Sequence, residues 1–279
     1  MSKNYMIYGT KRCGHHGIID WLKPQIGEIV RHFNDRRYAL MPLEHRDDEH
    51  NLVEHLLELR NKVYLLNNNI RQRSSEVYLD EYNDVDNIIS FEGIELTRMN
   101  ELEEQWLQDM NRGLKTINPN FNVGNDMIYI VILRNPWNIA ASQIRWSLDR
   151  RNYNRVHIDI AVWNEFYDNY INEKENTHFI VFDKWFMDIE YRKKISSELG
   201  LEFTDVNKNN VALAGGGSSF DKMNFNGNAE DMNVLYRYQE MMEHPRMQER
   251  FLKKEMATET KNKWNHLCDL ENIVDLKIK

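Results

Sequence analysis

Apolar residues along the chain come in short clusters separated by polar stretches, and the clusters alternate between strand-like runs and helical spacing. Met6, Ile7 and Tyr8 predict a first buried strand. Ile18, Ile19 and Leu22 follow at the spacing of one apolar helix face. Pro24 can kink or restart this helix ahead of residues 27–33. Pro42 and the charged run Glu44 to Glu49 read as a surface connection. Leu52, Val53, Leu56, Leu57 and Leu59 predict an amphipathic helix ending near Asn61. Val63 to Leu66 predicts a second strand, closed by the turn-favouring Asn67, Asn68 and Asn69, and the polar stretch 71–86 is expected to be helical in part. Ile88, Ile89 and Phe91 predict a third strand with Glu92 and Gly93 just past its end. A polar helix over 100–114 and a loop over 118–126 lead to Met127–Leu133, the clearest strand, with seven apolar residues. Arg134-Asn135-Pro136 end that strand. Trp137 to Trp146 is helical, with Pro136 in the first turn, where no N–H is needed. Further on come a helix over 158–172, a strand from Phe179 to Phe182, and a helix from Ile189 to Leu199 stopped by Gly200. The loop Gly215 to Ser219 reads as a linker or a second anion nest, and the last sixty residues as helical, charged and methionine-rich.

Strands alternating with helices in this way predict a three-layer α/β fold. Its mostly parallel sheet is flanked by helices in a P-loop NTPase-like layout, as one domain over 1–279 with a helical C-terminal portion from about 228. In open sheets of this kind ligands sit at the carboxyl ends of the strands. Four segments are expected to converge there: the loop Gly9 to His16, Glu92, Arg134 to Ser142, and Gly215 to Phe220.

Composition narrows the function. A net charge of −8 argues against a general nucleic-acid binder, so only a local basic cleft is left for anions. Two cysteines, Cys13 and Cys268, are too few for a disulfide framework and suit a reducing compartment, with Cys13 read as a packing residue. There is no basic-then-apolar leader pattern and no apolar run of membrane length, so a cytoplasmic protein without membrane contact is expected.

The candidate chemistry begins at Gly9 and Gly14, which bracket a basic loop between the first strand and the first helix. Strand, glycine loop and helix N-terminus make a phosphate cradle, because backbone N–H groups and the helix dipole point at one anion. The spacing fits the start of a Walker A motif, but His15 and His16 stand where Lys and Ser/Thr would follow. Arg12 is the replacement cation, and the magnesium-holding hydroxyl is missing. A metal site on His15 and His16 is not expected, since adjacent side chains on a helix diverge and the sequence offers no evident third ligand. Arg145, Arg150, Arg151 and Arg155 read as a solvated basic face.

The segment Arg134-Asn135-Pro136-Trp137-Asn138-Ile139-Ala140-Ala141-Ser142, a strand end followed by Ser eight residues after the Arg, resembles the 3′-phosphate motif of sulfotransferases. The resemblance implies a sulfuryl donor, 3′-phosphoadenosine 5′-phosphosulfate (PAPS), a small-molecule or carbohydrate hydroxyl acceptor, and no metal. It implies that Lys11, Arg12, Cys13, Gly14, His15 and His16 hold the 5′-phosphosulfate. Arg134 and Ser142 would then hold the 3′-phosphate. Phe182-Asp183-Lys184-Trp185 with Leu199-Gly200-Leu201 is similar to two further segments of that family. Three departures stand out. His15 and His16 replace Ser/Thr, Gly17 occupies the place of an adenine-stacking Trp, and no C-terminal Arg-Lys-Gly clamp is evident. Gly216, Gly217, Ser218 and Ser219 are candidates for the clamp's role. Glu92 is the expected catalytic base, with His15 as competitor and Arg12 neutralising the leaving phosphate. On this reading Arg134→Ala weakens nucleotide binding far more than the fold. The alternatives are a degenerate P-loop kinase and a nucleotide-binding module without catalysis. The terminal helices read as packing or a homo-oligomer contact rather than as a substrate lid.

Overall fold

The computed structural model describes residues 3–27, 30–34, 65–67, 70–72, 86–93, 96, 126–149, 160–212, 217–249 and 255–278. Its centre is a five-stranded sheet built from β1 (Lys3–Gly9), β2 (Val30–Asn34), β5 (Asp86–Glu92), β6 (Asp126–Leu133) and β7 (Thr177–Val181). The order is β2-β5-β1-β6-β7 and every neighbouring pair is parallel. Tyr5 to Tyr8, Ile88, Ile89 and Ile130 to Leu133 are almost fully buried. Successive residues of one strand point to opposite faces, so both faces of the sheet are covered, which is why these strands read as continuous apolar runs. The short β3 (Leu65–Asn67) and β4 (Ile70–Gln72) form a separate antiparallel ribbon.

The helices that matter for the site are α1 (His15–Ile26), α2 (Pro136–Asp149), α3 (Ile160–Ile171), α4 (Phe182–Met187), α5 (Ile189–Glu198), α6 (Arg237–Met241) and α7 (Glu255–Leu270). Pro24 lies inside α1 without ending it. A proline there removes the hydrogen bond to the carbonyl four residues back. That carbonyl, of Asp20, instead accepts from Asn207 Nδ2 at 3.0 Å. At the start of α2, Asn135 Oδ1 accepts from the backbone N–H of Trp137 and Asn138 at 2.9 and 3.3 Å. Asn135 is thus the cap and Pro136 the first helical residue.

Register explains why the predicted segments meet. Gly9 on β1 is level with Glu92 on β5 and Ile132 on β6, and the Gly93 N–H donates to the Gly9 carbonyl at 2.8 Å. Glu92, the glycine loop and Arg134 therefore leave the sheet side by side at its carboxyl edge. The chain runs from β1 out to β2 on one side and to β6 and β7 on the other, the switch point at which open sheets bind ligands.

Several expectations need correction. Residues 30–34 form a strand; His32 and Ser90 bond across it at 3.0 Å, which pairs the polar groups that disguise it. Arg71 and Gln72 belong to a short strand, and the stretch 73–85, expected to be helical in part, lies outside the described residues. Phe182 begins α4 instead of ending β7. From Gly217 to Tyr236 the chain runs mostly through turns before α6. The helices predicted over 52–59 and 100–114 lie outside the described residues. Among the described residues, no helix is long and apolar enough to cross a membrane.

Candidate anion-binding site

The loop between β1 and α1 is shaped by its backbone. Arg12 and Gly14 both adopt positive φ, 70° and 88°, and the Cys13 N–H returns to the Thr10 carbonyl at 3.1 Å. Gln143 Nε2 on α2 holds the Lys11 carbonyl at 2.8 Å. Among the described residues no side chain caps α1, and its first turn carries no acidic residue, leaving the positive end of the helix dipole for an external anion. Gly14 is required twice over: its φ is left-handed, and a Cβ there would lie 2.4 Å from Phe182 Cε2. Gly14→Ala is therefore expected to cost about 2–4 kcal/mol by urea unfolding, from the left-handed backbone and the overpacking together. Phe182→Leu in the same background should recover only the overpacking part.

Arg134 is 3% exposed and more heavily engaged than a ligand-only residue would be. Its NH1 donates to the Arg12 carbonyl at 3.0 Å and its NH2 to the Val234 carbonyl at 2.9 Å. Its Nε has no partner among the described residues, and the guanidinium lies 4.5 Å from the centroid of the Phe182 ring. Burial pulls its pKa down to about 10, against the opposing pull of the Asp183 carboxylate, while burial pushes Asp183 up to about 6. Ser142 Oγ accepts from Arg12 Nε at 3.4 Å and pairs with Ser219 Oγ at 2.6 Å. The second glycine loop thus reaches the Ser142 helix. Gly217 and Ser218 line the cavity as well, whereas Gly216 lies outside the described residues.

The third group is His15, His16 and Glu92. His15 is 2% exposed, and its Nδ1 lies 3.5 Å from Glu92 Oε1 and 3.8 Å from Cys13 Sγ. Its Nε2 has no hydrogen-bond partner among the described residues. Burial and the nearby Arg12 charge pull the His15 pKa down to about 3, and burial does the same for His16. Burial pushes the Cys13 thiol up to about 12, as expected of a packing residue, and its sulfur fits only because Gly9 has no Cβ. The two imidazoles do not diverge. Their ring centroids are 3.9 Å apart, and the turn from loop to helix places both beside Glu92. The expectation that no third metal-ligating group accompanies the histidines is thus incorrect, because Glu92 comes from a different strand and sequence spacing could not show it.

The cavity wall also includes residues that sequence reading missed as site residues: Phe182, Trp185 and Phe186 on α4, Lys208, and Arg237 on α6. Gly17 faces Trp185, so an indole from α4 stands over the place where the resemblance puts a tryptophan on α1. Lys208 Nζ sits 4.7 Å from the Phe186 ring centroid. Arg237 is 4% exposed, pairs with Asp221 at 2.5 Å, and its pKa is lowered by burial. Three guanidinium groups, of Arg12, Arg134 and Arg237, thus face one cavity in a chain whose net charge is −8. Arg145 is exposed and outside the lining, while residues 150–155 lie outside the described residues.

No family model and no curated protein matches the sequence. Among solved structures, the chain is similar to mouse sulfotransferase SULT7A1 complexed with PAP, with a TM-score of 0.47 and 11% identity over 98% of this chain and 87% of that one. It is similar to a sulfotransferase from Alicyclobacillus acidocaldarius, with a TM-score of 0.39 and 12% identity over 96% of both chains. A third is retinol dehydratase in complex with androsterone and inactive cofactor PAP, with a TM-score of 0.38 and 9% identity over 95% of this chain and 80% of that one.

Proposed function

We propose that the protein is a sulfotransferase that binds PAPS at this cavity and passes its sulfuryl group to the hydroxyl of a small molecule or carbohydrate. The observation that carries the reading is the meeting of an uncapped glycine loop with Arg12, Arg134, Ser142 and Ser219 at the switch point of a parallel sheet. In the reaction the acceptor oxygen attacks sulfur, the bond from sulfur to the 5′-phosphate oxygen breaks, and the electron pair leaves with 3′,5′-adenosine bisphosphate. Arg12 and the N–H groups at the start of α1 neutralise the charge gained by that phosphate. Arg134 and the Ser142–Ser219 pair take the 3′-phosphate, and Trp185 and Phe186 supply aromatic faces for the base. Glu92 receives the acceptor proton. His15, held uncharged, has its unpartnered Nε2 available as a donor to the leaving oxygen, the task a Ser/Thr hydroxyl has in the family resembled.

Calorimetric titration with 3′,5′-adenosine bisphosphate and with ADP, both in chelator, tests the reading. Micromolar binding that prefers the bisphosphate is the expected result. No binding by either, or ADP binding only with magnesium, overturns it in favour of kinase-like chemistry. Bisphosphate binding without sulfuryl transfer across a panel of hydroxyl acceptors would mark a binding module instead.

A further inference from the structure

We propose that His15, His16 and Glu92 form a three-ligand site for a divalent transition-metal ion of the zinc class, open on its fourth side to the anion cradle. One ligand atom from each residue lies within 4.8 Å of the other two. His15 Nδ1 and Glu92 Oε1 are 3.5 Å apart. Metal–ligand bonds of about 2.0–2.2 Å in a tetrahedron place neighbouring ligand atoms about 3.3–3.6 Å apart, so this pair already has the spacing of a shared ion. It is too long for a charge-assisted hydrogen bond, which spans about 2.7–2.9 Å. With the His15 proton on Nε2, the Nδ1 lone pair faces a carboxylate oxygen, and a cation between them relieves the repulsion. His16, partly exposed at the first turn of α1, offers the third ligand atom within that 4.8 Å span.

The supports are rigid. Glu92 and the loop are tied through the Gly93-to-Gly9 backbone hydrogen bond, and His15 is wedged beside Cys13, whose sulfur lies 3.8 Å from its Nδ1. All three ligands line the same cavity as Arg12 and Arg134. These guanidinium groups oppose a bare cation, whereas a bound phosphate offsets them and offers an oxygen for the fourth position. Ion and bisphosphate are therefore coupled, each tightening the other. The inference rests on the anion-binding reading of the cavity and adds a consequence: an ion on Glu92 takes the oxygen that would accept the acceptor's proton. The loaded protein binds nucleotide but does not turn over.

Tag-free protein, stripped with chelator and dialysed, is titrated with Co²⁺ and read by visible absorption. Ligand-field bands saturating at one ion per chain are expected, bleached by Zn²⁺ and untouched by Mg²⁺. The apparent Co²⁺ affinity should rise at least about tenfold with 3′,5′-adenosine bisphosphate present. His16→Ala and Glu92→Gln, each verified as folded by circular dichroism, should abolish the bands. Absence of bands in the parent protein, bands that survive either variant, or affinity indifferent to the bisphosphate overturns the proposal. Bisphosphate titration in chelator reports the cradle separately, so loss of the metal site and loss of the nucleotide reading are told apart.

Discussion

Arg134→Ala is expected to cost about 3–5 kcal/mol of folding stability, a larger effect than a ligand contact alone would give. The guanidinium is buried and clamps the Arg12 carbonyl on one side and the Val234 carbonyl on the other, so it fastens the glycine loop to the C-terminal segment. Truncation leaves both carbonyls and the buried Asp183 carboxylate without their cation. To the sequence-based expectation, that binding suffers far more than folding, the structure adds this stability cost, because those two carbonyls lie at positions no strand-end motif reveals. Urea unfolding measures the effect, and Arg134→Lys separates its parts. Lysine restores charge near Asp183 but cannot reach both carbonyls with a planar fork, so stability should return only partly. An alanine variant within about 1 kcal/mol of the parent would show that the two carbonyl bonds and the buried guanidinium charge contribute little net stability, against the expectation for buried, hydrogen-bonded charge.

What the sequence shows and what it hides divide along physical lines. The parallel strands were legible because burial on both faces writes continuous apolar runs, as in Met6–Tyr8 and Met127–Leu133. The glycine loop and Asn135-Pro136 were legible because positive φ and helix capping each demand particular residue types at fixed offsets. The strand Val30–Asn34 was hidden because its buried His32 finds its partner across the sheet, Ser90 on β5. Arg237 and Lys208 were hidden for a related reason. A single basic residue in a polar or aromatic stretch carries no local signature, and only the turns from Gly217 to Tyr236 bring Arg237 to Arg12 and Arg134. Trp185 shows the same logic in reverse: α1 carries Gly17 where the resemblance puts a tryptophan, and an indole comes from another element.

If the protein is the sulfotransferase proposed above, Glu92→Gln is expected to lower sulfuryl transfer about 10²–10⁴-fold while leaving bisphosphate affinity equal or higher. Glu92 supplies the one carboxylate among the described residues that line the cavity. It stands at the end of β5 level with Gly9, with its side chain 15% exposed, so an acceptor hydroxyl can approach it from solvent. Glutamine keeps the size and removes the proton-accepting oxygen. It also removes a negative charge that repels the nucleotide, and this fixes the sign of the affinity change. His15 is the weaker candidate, since a nitrogen whose pKa is held at about 3 takes a proton from an alcohol poorly and serves better as a neutral donor. His15→Asn, which keeps a short polar side chain, should accordingly weaken bisphosphate binding and lower turnover of bound donor less than Glu92→Gln does. The two variants together decide the assignment. If Glu92→Gln retains turnover and His15→Asn abolishes it, the proton goes to the imidazole, and the nitrogen would have to regain ordinary basicity once the nucleotide's negative charge sits beside it. If both retain turnover, the acceptor reaches sulfur already deprotonated or loses its proton to water, and the cavity contributes only positioning and charge neutralisation.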